Sequence, residues 1–301
     1  MKTCVIINPN AGSAVEIELY RERLERIPGV GVRLTGKEGD AQRIAAEALA
    51  AGVELIVAAG GDGTLNEVVN GLAADFGHAR LGLLPLGTGN DFARSINVPA
   101  DFEGALAVLA EGRVQPLDVA LARFGKEDRY FINMGAGGFS SMVSEKADEA
   151  KDRWGPLAYM RAALGTLPEL QGFKAVFTVN GVERLEIETY NVIVSNGRFV
   201  AAGIPVAPHS KLDDGLLDVM IVPAVTGGQI AMLVPQVLLG RHLDSDLIHF
   251  RKATRLEITS DPPMSFNVDG EVIGECPVSF EILPRALKVV VGPETEEAAA
   301  T

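Results

Sequence analysis

Gly60-Gly61-Asp62-Gly63-Thr64 stands between an aliphatic run, Leu55 to Ala59, and a stretch from Leu65 to Ala74 whose apolar residues recur at three and four. Glycines in such a turn let backbone N–H groups close on an anion, and a helix N-terminus adds about half a positive charge. Asp62 would repel a bare phosphate but suits a phosphate that carries Mg²⁺. The same residues also make a tight strand-to-helix turn with ordinary capping, and spacing alone leaves both readings standing. A second loop, Leu86-Gly87-Thr88-Gly89-Asn90-Asp91-Phe92, repeats the device. There Thr88 offers a hydroxyl to a phosphate oxygen, and Asn90 and Asp91 can orient the loop or a metal. Asn8-Pro9-Asn10-Ala11-Gly12-Ser13 is a third. One such loop says little; three of them point to a nucleotide.

Other familiar sites fail on single residues. Gly36-Lys37 nearly completes a P-loop, but Glu38 stands where Ser or Thr is required and would oppose phosphate. No Gly-x-Gly-x-x-Gly opens a helix, no Gly-x-Ser-x-Gly elbow is present, and the four histidines lack zinc spacing. Asp213-Asp214-Gly215 reads by itself as a solvated turn. Asp269-Gly270, between Phe266–Val268 and Glu271–Ile273, reads by itself as a hairpin turn. The run from Gly135 to Phe139 is either a close passage of two chain segments or a plain loop.

The elements that must hold these loops are legible from periodicity. Cys4–Ile7, Gly31–Leu34, Leu55–Ala58 and Leu81–Leu84 are short aliphatic runs bounded by Gly, Pro or Asn, as buried parallel strands are. Helical patterns at Val15–Arg26, Ala41–Ala51 and Leu65–Ala74 alternate with them, which predicts an open, mainly parallel α/β sheet. Ser13 with Glu16, and Thr64 with Glu67, have capping-box spacing, Asp40 precedes the helix at Ala41, and Thr88 with Asp91 precedes Phe92–Ile96. Each helix start follows a strand, so the loops gather at the carboxyl edge, where such sheets bind ligands.

After Phe124 the texture changes. A polar turn, Gly125–Asp128, separates Val119–Arg123 from Arg129–Asn133, and Asn180-Gly181 joins Phe173–Val179 to Val182–Val194. Leu216–Val222, Leu256–Thr259, Phe266–Val268 and Val278–Leu283 continue the strands, with helices expected near Ser140–Ala150, Leu157–Leu164 and Gly228–Leu239. The expected division is a nucleotide-binding α/β domain over 1–124, a mainly antiparallel β domain carrying lipid substrate and catalytic base over 125–293, and an acidic tail over 294–301.

Composition sets the outer limits. A chain of 301 residues can bury roughly three-quarters of its unfolded surface, enough for one or two full cores. Forty acidic against 27 basic side chains, a net charge of -13, argue against a general nucleic-acid binder. Cys4 and Cys276 are too few for a disulfide framework and fit a reducing cytosol. The N-terminal apolar run is too short for a signal-peptide core, and Ile230–Leu239, interrupted by Pro235 and Gln236, falls short of the ~20 residues of a membrane span. Arg21, Arg23 and Arg26, and Arg251, Lys252 and Arg255, form basic clusters that are either contacts for anionic lipid or solvated faces.

Gly60–Thr64, followed by Asn66-Glu67-Val68-Val69-Asn70-Gly71 and then by Leu86 to Arg94, resembles the catalytic-domain family of diacylglycerol kinases, which also contains sphingosine and ceramide kinases. The chain is most similar to the soluble bacterial lipid kinases of that family. The resemblance runs through Asn8–Ser13, Thr35 to Ala41, Lys211 to Leu216 and Val268-Asp269-Gly270-Glu271, nearly the whole length. Gly-Gly-Asp-Gly-Thr is shared with NAD kinases, whereas Gly-Thr-Gly-Asn-Asp-Phe is the more specific marker.

The resemblance implies an ATP- and Mg²⁺-dependent lipid kinase acting on the primary hydroxyl of a diacylglycerol-like lipid. It implies nucleotide contacts at Asn8, Pro9, Asn10, Ala11, Gly12, Thr35, Gly60, Gly61, Asp62, Gly63, Thr64, Leu65, Asn66 and Thr88. Lys211 and Leu216 through their carbonyls, and Asp214 through its carboxylate, are implied as a structural Mg²⁺ site. Glu271, supported by Asp269, is implied as the general base, and Asp62 as the partner of the catalytic Mg²⁺. The implied setting is the cytoplasm, with transient peripheral contact at the inner face of the membrane; a homodimer is left open. The alternatives are an NAD-kinase-like enzyme with a soluble acceptor, in which Asp62 is the base, and a nucleotide-binding regulator without catalysis.

Overall fold

The computed structural model describes residues 2–139 and 170–293. The chain divides into two units, Met1–Asp118 with Arg285–Thr301, and Val119–Pro284. The expected helices near 140–150 and 157–164 lie outside the described residues.

The first unit contains β1 (Thr3–Ile7), α1 (Ala14–Glu25), β2 (Val30–Leu34), α2 (Asp40–Ala50), β3 (Leu55–Gly60), α3 (Asp62–Gly71), β4 (Arg80–Pro85), α4 (Asp91–Ser95) and α5 (Phe102–Glu111). Its strands are parallel in the order β2-β1-β3-β4. Every residue of β3 is buried, which suits a central strand covered on both faces and explains its unbroken aliphatic run. On α2 the buried residues are Ala41, Ile44, Ala45, Ala48 and Leu49, one stripe at helical spacing. Burying a side chain such as Ile44 or Leu49 stabilises by about 1.5–3 kcal/mol, so this stripe fixes α2 on the sheet. Asp101 caps α5 by accepting the Gly104 N–H at 2.8 Å, and Gly112 ends that helix in the left-handed region.

The second unit contains β6 (Glu127–Phe131), β7 (Met134–Gly138), β8 (Phe173–Val179), β9 (Glu183–Ser195), β10 (Leu217–Pro223), α6 (Gly227–Leu238), β11 (His249–Ala253), β12 (Arg255–Asp261), β13 (Ser265–Val268) and β14 (Glu271–Glu275). β5 (Val114–Phe124) and β15 (Val278–Val290) each give residues to both units. The pairing within this unit is antiparallel: β13 lies between β14 and β7, β9 between β7 and β8, and β12 beside β8. Phe131, Phe177, Phe266 and Phe280 are fully buried at its centre, with Phe131 edge-on to Phe280 at 6.0 Å between ring centroids. The two-domain reading therefore holds in class, an α/β unit and an antiparallel β unit.

The grouping of the last strand was not legible as chain order. Lys288 and Val289 of β15 pair in parallel with Arg80 and Leu81 of β4, so the end of the chain completes the first unit's sheet. Among the described residues no helix is long and apolar enough to cross a membrane.

Candidate functional site

In the first unit the loops after β1, β2, β3 and β4 all leave the same edge, because the strands are parallel. The order reverses at β1, which has β2 on one side and β3 on the other, and such a switch point opens a crevice between neighbouring loops. Asn8 ties the first loop to the third, its Nδ2 donating to Thr64 Oγ1 at 3.1 Å. Asn8 Oδ1 also accepts the Asn10 N–H at 3.0 Å, which shapes the turn through Pro9, Ala11 and Gly12. Thr35 extends the pairing of β2, its N–H donating to Ile7 O at 2.9 Å. The third and fourth loops touch through backbone: a Cβ added to Gly87 would lie 2.5 Å from Gly61 Cα.

The Gly-Gly-Asp-Gly segment ends β3 at Gly60 and enters the helix already at Asp62. α3 begins at Asp62 with Gly61 as N-cap and no side-chain cap, so the capping box expected at Thr64 and Glu67 is not formed. The glycines permit the earlier start, and Glu67 instead accepts the N–H of Ala41 at 2.9 Å, capping the neighbouring α2. Thr64, Leu65 and Asn66 are buried, so these side chains pack inward, and the first-turn N–H groups of α3 have no acceptor within the helix. Thr88 is exposed, and Asn90, not Thr88, organises the fourth loop. Asn90 takes φ 52 as N-cap of α4, and its Nδ2 donates to Gly87 O at 2.6 Å. Asn tolerates this backbone region better than other non-glycine residues, a signal available in Gly-Asn-Asp.

Asp62 is a charged group of this edge, in the third loop. It lies with Gly60, Gly61, Pro85 and Asn90 around one small cleft. Burial pushes its carboxyl above the ordinary aspartate value, opposed by backbone N–H groups of Phe92, Asn90 and Asp91. A carboxylate so short of solvent gains from a cation, so Asp62 fits a partner for Mg²⁺.

In the second unit Asp269 and Glu271 occupy the tip of the β13–β14 hairpin. Asp269 has φ 45 and Gly270 φ 89, the backbone of a two-residue hairpin turn. The Asp269 carboxylate accepts the N–H groups of Ile132, Asn133 and Met134 at 3.1, 3.2 and 2.9 Å, so it is an anchor of the tip. Glu271, half-buried, is met by Arg129, whose Nη2 donates to Glu271 Oε1 at 2.5 Å. Arg129 belongs to no motif, and its spacing gave no sign of this contact. Gly135–Gly138 form β7, where a side chain on Gly137 would strike the Phe266 ring, so that run is a close passage of chain segments.

Lys211, Asp214 and Leu216 do not present an open carboxylate. Asp214 Oδ1 accepts the Leu216 N–H at 3.1 Å, and Asp214 Oδ2 takes Lys252 Nζ at 3.0 Å. Lys252 also stands 3.4 Å from Asp218 Oδ1, and Ser210 donates its hydroxyl proton to the other Asp218 oxygen. This acidic pair is thus partly offset by the chain's own ammonium, and a divalent ion at Asp214 would have to displace Lys252. The remaining basic residues of the two clusters are likewise paired: Arg21 with Glu18, Arg23 with Glu103, Arg26 with Glu22, Arg251 with Glu183 and Arg255 with Glu257. They are solvated, ion-paired faces whose pairs each contribute little to stability.

Comparison with known proteins adds to this geometry. The family model for the diacylglycerol kinase catalytic domain matches residues 2–122, and that for the YegS C-terminal NAD kinase beta sandwich-like domain matches residues 134–291. A diacylglycerol kinase of Staphylococcus saprophyticus is 32% identical over 298 residues, covering 95% of this chain and 93% of the relative. A probable lipid kinase, YegS-like, of Xanthomonas oryzae pv. oryzae is 40% identical over 247 residues, covering 80% and 79%. The crystal structure of a diacylglycerol kinase from Bacillus anthracis matches with a TM-score of 0.81 at 26% identity, covering 97% of each chain.

Proposed function

The chain belongs to the diacylglycerol kinase catalytic-domain family and is a kinase, and on that premise we propose that it transfers the γ-phosphoryl group of ATP to the primary hydroxyl of a diacylglycerol-like lipid. The observation that carries this reading is the tip of the β13–β14 hairpin, where Asp269 is held by backbone N–H groups and leaves Glu271 as the carboxylate for an acceptor. Glu271 takes the proton of the lipid hydroxyl as its oxygen bonds to the γ-phosphorus. The bond from that phosphorus to the β–γ bridging oxygen breaks, and ADP leaves with the electron pair. The loops at Asn8–Gly12, Thr35, Gly60–Asn66 and Thr88 position the nucleotide, the backbone N–H groups of α3's first turn meeting phosphate. Asp62 would hold Mg²⁺, which would supply charge neutralisation on the triphosphate. No step is assigned to Asp214, where Lys252 already balances the charge.

Backbone contact between Gly61 and Gly87 makes the loop spacing a sensitive quantity. Gly87→Ala forces the loops apart by about 1 Å, and a misplacement of that size costs about 10²-fold in rate. A rise of at least about tenfold in the KM for ATP is expected, and steady-state kinetics that leave KM unchanged would remove the fourth loop from nucleotide positioning.

The acceptor is found by offering ATP and Mg²⁺ with mixed micelles of diacylglycerol, monoacylglycerol, a sphingoid base and phosphatidylglycerol, and weighing the lipid products. Phosphatidic acid as the main product is expected. With NAD offered in a parallel reaction, its phosphorylation with every lipid left unchanged would overturn the lipid reading.

A further inference from the structure

Two anchors fix the tip that bears Glu271, and both come from the short stretch 129–134, which runs from within β6 to the start of β7. Asp269 accepts the N–H groups of Ile132, Asn133 and Met134, and its own N–H donates to Met134 O at 2.8 Å. Arg129, at the start of that stretch, holds Glu271 itself through Nη2 and Oε1 at 2.5 Å. β6 pairs with β5 and β14 with β13, so no strand register brings Arg129 and Glu271 together. Their side chains are 32% and 39% exposed, and ion pairs this open add little to stability.

We propose that Arg129 is a positioning residue for Glu271, which it holds in one rotamer so that the second carboxylate oxygen addresses the acceptor hydroxyl. The proposal rests on the reading of Glu271 as general base. A glutamate carries several rotatable bonds, and without a partner it samples arrangements that point away from the reacting oxygen. The guanidinium is charged at all working pH values, so the hold persists across them. The contact uses one nitrogen and one oxygen, not a two-point fork. Oε2 therefore remains available for the proton, and a lysine ammonium can partly replace the guanidinium. Asp269 is a separate anchor on backbone, so the hairpin itself does not need Arg129.

Arg129→Ala, Arg129→Lys and Glu271→Gln are compared in the full chain by steady-state kinetics and thermal unfolding. Arg129→Ala is expected to lower kcat at least about tenfold with the KM for ATP within about twofold, since the loss falls on orientation and not on nucleotide binding. Its melting temperature should stay at the wild-type value, Arg129→Lys should recover a large part of kcat, and millimolar guanidinium should raise kcat of Arg129→Ala but not of Glu271→Gln. Arg129→Ala with wild-type kcat overturns the proposal. So does a loss that neither Lys nor guanidinium relieves, or one that comes with a lowered melting temperature, since both are marks of a structural role. If Arg129→Ala is active and Glu271→Gln is not, only the positioning role is lost. An active Glu271→Gln removes the base reading and the proposal with it.

Discussion

Glu271→Gln is expected to lower kcat by about 10²–10⁴-fold, the usual worth of a positioned general base, with ATP affinity nearly unchanged. The amide has the shape of the carboxylate and its oxygen can still accept from Arg129, so the hairpin tip should keep its place. The Asp269 anchor, on the backbone of Ile132 to Met134, does not involve Glu271. What the variant lacks is a group able to take the hydroxyl proton. Calorimetric titration with ATP and Mg²⁺ beside steady-state rates separates binding from turnover. Near-normal turnover would remove Glu271 from the chemistry.

Asp62→Asn is the second large loss expected, on the order of 10²-fold or more in kcat/KM, because the variant cannot hold a cation against the triphosphate. The same position gives a stability signature of opposite sign. Burial raises the proton affinity of Asp62 on folding, so the folded chain holds its proton to higher pH than the unfolded chain does. Stability from this group is present at low pH and falls as pH rises from the ordinary aspartate value through the raised folded value. Above that window the buried charge is a net burden, which Asn does not carry. At neutral pH the variant should therefore melt at or above the wild-type temperature while turning over far more slowly. A variant that melts well below wild type at neutral pH would mean that Asp62 is mainly structural.

The parallel strands were legible because burial on both faces leaves an unbroken aliphatic run, as in Leu55–Ala59, and their loops are local. The glycine loops were legible for the same reason. Contacts between residues far apart in sequence were not. Glu67 has the spacing of a local cap for Thr64, yet it caps α2, a partner only the packing of α3 on α2 supplies. Asp269 reads as a hairpin turn residue and is one, but its three backbone donors lie 135 to 137 positions away. Arg129 and Lys252 carry ordinary surface residue types, and no spacing rule ties the first to Glu271 or the second to Asp214. α5 could have been found, since Asp101 and Gly112 are standard start and stop signals for a helix of that length. β11, from His249 to Ala253, shows no clean alternation of burial, so no periodicity announces it.

The central claim, phosphoryl transfer from ATP to a lipid hydroxyl with Glu271 as base, is tested most directly with γ-labelled ATP, Mg²⁺ and diacylglycerol in mixed micelles. Wild type and Glu271→Gln are run side by side. Label should appear in phosphatidic acid with the wild type and stay in ATP with the variant. Equal labelling of the lipid by both proteins, or label that passes only to water, would contradict the claim.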